Sequence, residues 1–221
     1  MWDSTVIMMI VRGIGETLYM TLTSTLLGYV LGLPMGILLV ICARDGIRPN
    51  AVVYKIFDLI SNIFRSIPFL ILLILVMPLT AKLVGKSYGS TATIVPLTFA
   101  AAPYIARMVE SSLKEVDRGV IEAAQSMGAS TWEIVWKVYL KEARTSLIIN
   151  ATIATGTILG YSAMAGTVGG GGLGDIAIRY GYYRYQVDIM IVTVIILVLL
   201  VQIFQSIGML ISKKMDRRRI D

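Results

Sequence analysis

No histidine occurs anywhere in the 221 residues, and Cys42 is the only cysteine. The commonest general base and metal ligand is therefore missing. Zinc or cluster sites have no thiolate set to draw on, and no internal disulfide can form. Asp, Glu, Lys and Arg together make up only 15% of the chain. Carboxylates within apolar runs are scarce, which leaves nothing to build an in-chain proton relay or a nucleophilic triad. A Walker sequence is absent as well, which argues against an ATPase within this chain. The run Gly169-Gly170-Gly171-Gly172-Leu173-Gly174 lacks the Lys-Ser/Thr ending of a phosphate loop and follows an apolar run instead of a strand. It reads as a flexible or re-entrant loop, because glycine permits close backbone approach. No repeat of 20–50 residues divides the chain into two related halves, as many secondary transporters are divided.

What is abundant is apolar. Hydrophobic residues make up 56% of the sequence, and the mean hydropathy is +0.76. For much of the chain the solvent is therefore lipid. A helix needs ~20 mostly apolar residues to cross a bilayer core, where every backbone N–H and C=O must be satisfied internally. Five runs meet or approach that length: Thr17–Cys42, Ile67–Val84, Thr91–Ala106, Leu147–Val168 and Ile189–Ile211. The third is short, Ala-rich and interrupted by Pro96 and Pro103, so it is expected to lie buried among the others. Continuous runs without alternation exclude a β-barrel. The expectation is an all-α integral membrane protein in a bacterial inner or plasma membrane, one domain over residues 1–221. Asp3, with no basic cluster before the first run, argues that this run is retained and not cleaved as a signal peptide.

Lys and Arg are retained on the cytoplasmic side of a span. One side collects fourteen of them, in the segments 44–55, 107–144 and 213–219, and the other five, Arg12, Lys82, Lys86, Arg179 and Arg184. This places the N-terminus outside and the C-terminus in the cytoplasm. The net charge of +6 is then an orientation signal with affinity for anionic lipid, and no nucleic acid is implied. Arg65, just before the second run, reads as an interfacial anchor, with an ion pair to Asp58 as the alternative. Gly28, Gly32 and Gly36 share one face of the first run, and Gly156 and Gly160 make a similar face in the fourth. Close helix packing is expected there, either within the monomer's bundle or across a dimer. Cys42, at a span end, reads as packing.

The segment from Arg107 to Ser146 carries six basic and six acidic side chains, too much for a connector. Asp117 can cap a first helix through Glu122-Ala123-Ala124, and Gly128 sits where a left-handed residue ends it. Ser130 and Glu133 then form a capping box that opens a second helix. Trp132, Val135, Trp136 and Tyr139 make an apolar stripe on it, opposite Glu133, Lys137 and Lys141. That stripe fits either a partner surface or the protein's own spans.

Glu122-Ala123-Ala124-Gln125-Ser126-Met127-Gly128-Ala129 resembles the EAA-loop signature of permease subunits of type I ATP-binding-cassette importers. The family continues to L-P-E-A; here Leu140-Lys141-Glu142-Ala143 has lysine for proline. Arg65-Ser66-Ile67-Pro68-Phe69, Ile94-Val95-Pro96-Leu97-Thr98, Ala102-Pro103-Tyr104-Ile105-Ala106-Arg107-Met108-Val109-Glu110 and Gly160-Tyr161-Ser162-Ala163-Met164-Ala165-Gly166 resemble the methionine-importer permeases in particular.

The resemblance implies a transport subunit, itself no enzyme and without a cofactor. It would work with a second copy of itself, two cytoplasmic ATPase subunits holding ATP and magnesium, and an extracytoplasmic methionine-binding protein. Glu122, Ala123, Ala124 and Gly128 would belong to a helix-turn-helix coupling loop over residues 107–146. Tyr161, Ser162 and Met164 would border the route, since a weakly polar, thioether-containing lining suits a zwitterion with an apolar side chain. Competing functions are import of another amino acid, a small secondary transporter, and a membrane enzyme or scaffold.

Overall fold

The computed structural model describes residues 3–215, so Arg217, Arg218 and Arg219 of the basic tail lie outside it. Among the described residues the ordered elements are all helical, as they must be where backbone groups have no water to bond. The long ones are α1 (Ser4–Ile41), α4 (Ser90–Lys114), α8 (Arg144–Ala165) and α10 (Val187–Met215). Each is part of a helical stretch long and apolar enough to cross a membrane, whereas α2 (Ala51–Ser66) and α3 (Phe69–Val84) reach that length and apolarity only together, as a pair bent by 110°. Buried residues make up 72% of the apolar window of α4 but 11% of that of α10, so the short Ala-rich run is the central helix and α10 the peripheral one.

The boundaries depart from the hydropathy reading where local chemistry overrides it. α1 starts at Ser4, thirteen residues before Thr17, because Asp3 accepts the Ser4 N–H as its cap. An Arg12–Glu16 pair at 3.0 Å supports the extra turns. The second run is preceded by a full helix. Asn50 caps α2 by accepting the N–H groups of Val52 and Val53, both at 3.1 Å. α2 stops because Ile67 precedes Pro68, whose ring drives it to an extended conformation with ψ 122°.

α1 and α4 pack most closely, and glycine is the reason. A Cβ on Gly28 would come within 2.8 Å of the Ala101 Cβ, and one on Gly36 within 2.6 Å of the Ala106 carbonyl oxygen. The small-residue face of the first run therefore closes the monomer's own bundle. The face of Gly156 and Gly160 divides: a Cβ on Gly156 would touch Val201 and Gln205 of α10 at 3.9 and 4.0 Å, whereas no atom lies within 4 Å of a Cβ on Gly160.

α8 ends at Ala165, and a tight turn over Gly166–Val168 leads into the glycine run and the short α9 (Gly172–Ile176). Of the flexible and re-entrant readings of this run, the flexible one is corrected here. Gly172 donates its N–H to Glu16 at 2.9 Å and Leu173 donates to Thr17 Oγ1 at 2.9 Å. Gly89 donates to the Gly169 carbonyl at 2.9 Å, and Thr93 donates to that of Gly170 at 3.2 Å. The run is pinned to α1 and to the start of α4, so glycine serves close approach there.

Candidate coupling surface and translocation face

α5 (Arg118–Ser126) is a nine-residue helix that needs help at both ends. Asp117 accepts the Gly119 N–H at 2.7 Å and caps its start. At the other end Gly128 takes φ +78°, a conformation that costs a residue with a Cβ roughly 1–2 kcal/mol. Ile121 and Ala124 are buried against the bundle, whereas Glu122, Ala123, Gln125 and Gly128 are exposed. Met127 is 81% exposed. The four residues taken from the sequence thus divide: Ala124 seats the helix, and Glu122, Ala123 and Gly128 lie on its free side. A cleft of about 350 Å³ separates the end of α1 from this helix, lined by Asp45, Gly46, Glu122, Gln125 and Tyr139 among others. Across it Arg118 pairs with Asp45.

The second helix of the loop begins with the expected capping box. Ser130 Oγ accepts the Glu133 N–H at 3.3 Å, and Glu133 accepts the Ser130 N–H at 3.1 Å. Lys137 donates to Glu133 at 2.9 Å. The lysine ammonium, joined by the two Ser130 donors, holds the Glu133 carboxyl down to about 2. α6 (Thr131–Glu133) then widens into π-type turns over Ile134–Tyr139 before α7 (Leu140–Glu142). The apolar stripe divides across this rod. Val135 and Tyr139 are buried with Ile134, while Trp132 is 68% exposed and Trp136 50%. The two indoles meet edge to face at 5.4 Å. Lys141 replaces the family proline, yet the chain still breaks at Ala143, whose ψ of 0° separates α7 from α8.

Behind the loop stands a charged network that hydropathy could not show. Glu110, on the lower part of α4, is buried and accepts from Arg107 at 2.6 Å and Lys114 at 2.7 Å. Arg107 also donates to Asn62 Oδ1 at 2.7 Å and pairs with Asp58, both on α2. Asp58 is thereby committed to Arg107, not to Arg65, which is exposed at the end of α2. The available signal was in the sequence: Arg107, Glu110 and Lys114 follow one another at helical spacing.

On α8 the residues read as pathway do not gather. Met164 is exposed, in line with Ile153, Gly156, Thr157 and Gly160 at helical spacing. Tyr161 borders that face, half-buried, its ring stacked on Phe69 at 4.7 Å and 4°. Ser162 points the opposite way. It is 1% exposed, and its hydroxyl donates to the Leu159 carbonyl at 2.7 Å. Two residues along a helix lie roughly 200° around its axis, so Ser162 cannot share a lining with Met164.

The binding-protein-dependent transport system inner membrane component family matches residues 28–219. The chain belongs to this family of transport permeases. It is 48% identical over 203 residues to the probable D-methionine transport system permease protein MetI of Vibrio cholerae, covering 92% of this chain and 90% of that one. It is 51% identical over 158 residues to the D-methionine transport system permease protein MetI of Escherichia coli K12, covering 72% and 73%. Among solved structures it superposes on a chain of the inward-facing MetNI methionine ABC transporter with a TM-score of 0.96 at 47% identity, covering 98% and 100%. Among the described residues, the outward side of α5 and the side of α8 that carries Met164 are both exposed.

Proposed function

We propose that this chain is the membrane permease of an ATP-binding-cassette importer that admits methionine. The observation that carries the proposal is α5: a short helix capped at both ends, seated by Ile121 and Ala124, that presents Glu122, Ala123 and Met127 outward. Such a helix transmits displacement as a rigid body. A push on its free side reaches α4 through the short link at Asp117 and the end of α1 through Arg118 and Asp45. α1 and α4 are in turn locked by the glycine face, so the pair moves together. The pusher is a cytoplasmic ATPase subunit with bound ATP and magnesium, one for each of two permease copies.

The two copies meet across the open face of α8, where Gly160, with nothing within 4 Å of a Cβ, allows close approach. Tyr161 and Met164 border the route there. A thioether and an aromatic ring accept an apolar side chain without holding a zwitterion strongly, which suits passage. An extracytoplasmic binding protein delivers the amino acid, and the Lys and Arg distribution sets α5 and the C-terminus in the cytoplasm and the glycine run outside. The test is proteoliposome uptake by the permease–ATPase complex, supplied with the binding protein, of labelled methionine against an excess of other amino acids. ATP-dependent accumulation of methionine that resists competitors supports the assignment. Accumulation of a different amino acid replaces the substrate, and accumulation without ATP rejects the transporter class.

A further inference from the structure

The importer reading leaves α2 without a role. At ~100° per residue α2 divides into three faces. Val53, Tyr54, Phe57, Ser61 and Phe64 turn inward and are buried or half-buried. Val52, Ile56, Leu59, Ile60 and Ile63 form an aliphatic stripe, each between 38% and 68% exposed. Between these run the polar positions. Among them Lys55, Asn62, Arg65 and Ser66 are exposed, while Asp58, the only acidic residue on the helix, is taken up by Arg107. The charge α2 presents outward is therefore basic.

Its direction matters as much as its composition. α2 meets α3 at 110°. If α3 stands near the bilayer normal, α2 lies close to the membrane plane. Its contact with Arg107 sets it beside the lower third of α4, toward the α5 end. A horizontal helix at that level, aliphatic on one side and basic beside it, matches the boundary between acyl chains and headgroups.

We propose that α2 lies in the cytoplasmic headgroup layer, its aliphatic stripe among the acyl chains, and that Lys55 and Arg65 hold anionic phospholipid. The occupant of the stripe is lipid. The stripe carries no Trp, Tyr or Arg to anchor a protein contact, and the net positive face complements an anionic leaflet. Through Asp58 and Asn62, α2 is tied to Arg107, and so to the part of α4 that leads into α5. Anionic lipid thus bears on the segment that couples to the ATPase.

The inference rests on the cytoplasmic placement of α5 proposed above, and the test separates the two. In the permease–ATPase complex, with Cys42→Ser, a fluorophore is attached at Ile56→Cys or Ile63→Cys. The complex is reconstituted in phosphatidylcholine vesicles, with and without phosphatidylglycerol. Lipids quenching near the headgroup are expected to quench strongly at both positions, and lipids quenching at the chain ends weakly. Headgroup-labelled phosphatidylglycerol is expected to quench roughly three-fold or more above its bulk share. Lys55→Gln with Arg65→Gln should abolish that preference while shallow quenching persists. Deep quenching would make α2 part of a span, and no quenching would mean a second copy covers the stripe; either overturns the proposal. An absent phosphatidylglycerol preference in the parent overturns the lipid assignment. Quenching confined to the leaflet remote from the ATPase subunit overturns the orientation instead.

Discussion

Gly32 on α1 approaches Ala102 on α4 so closely that a Cβ at position 32 would stand 2.5 Å from the Ala102 carbonyl oxygen. Backbone cannot yield as a side-chain tip does, so any larger residue forces the two central helices apart. Gly32→Leu is expected to cost about 3 kcal/mol or more. Gly15→Ala, where a Cβ meets nothing within 4 Å, should be neutral or stabilise by about 0.5–1 kcal/mol. Thermal unfolding of the purified chain in detergent reads both. Equal stability of Gly32→Leu and the parent would remove the close-packing account.

Orientation is read by single cysteines in a Cys42→Ser background. Thr167 and Gln125 are both exposed, one beside the glycine run and the other on α5. An impermeant thiol reagent added to intact cells is expected to label Thr167→Cys and to reach Gln125→Cys only after lysis. The reverse pattern inverts the topology.

The all-helical membrane class, the burial of α4 and the architecture of the α5 loop were legible in the sequence. Lipid dictates run length, and Asp117, Gly128 and Ser130 with Glu133 dictate local geometry by short-range chemistry. What escaped was long-range. The Asp58–Arg107 pair spans 49 positions, and α2, with its polar positions, falls in no apolar run. Nothing local decided between a flexible and a re-entrant glycine run, because its partners, Glu16 and Thr17, lie 156 positions away. Ser162 was grouped with Met164 by sequence nearness, whereas helical rotation sets them back to back.

That rotation gives a discriminating pair of variants. Met164→Glu puts a charge on the open face of α8, where a low-dielectric route would present it as a barrier. Methionine uptake is expected to fall at least ten-fold with assembly preserved. Ser162→Ala removes only a bond to the helix's own carbonyl and should leave uptake within about two-fold, since such local bonds contribute little net stability. Normal uptake by Met164→Glu would reject the placement of the route.

Glu133 supplies a pH dependence. Its carboxyl titrates near 2, below the ordinary 4.5, because Lys137 and Ser130 favour the ionised form. The stabilisation is therefore complete above about 4.5 and is lost as pH falls toward 2. Glu133→Gln should exchange backbone hydrogens faster than the parent over residues 130–139 at pH 7, and the gap should close with acidification. A gap that stays constant down to pH 2.5 would mean the carboxylate does not hold the helix start.

The central claim is that α5 carries the drive of ATP hydrolysis into a methionine route. Its most direct test is ATP-dependent methionine uptake by the reconstituted complex, with Gly128→Val and Glu122→Ala beside the parent. Gly128→Val imposes roughly 1–2 kcal/mol on a left-handed joint, and Glu122→Ala removes an exposed carboxylate that can accept charge-assisted hydrogen bonds at a subunit contact. Both variants are expected to insert and to lose most uptake and ATPase stimulation, while the isolated ATPase hydrolyses ATP normally. If both import methionine and stimulate hydrolysis as the parent does, α5 is not the coupling element and the account is contradicted.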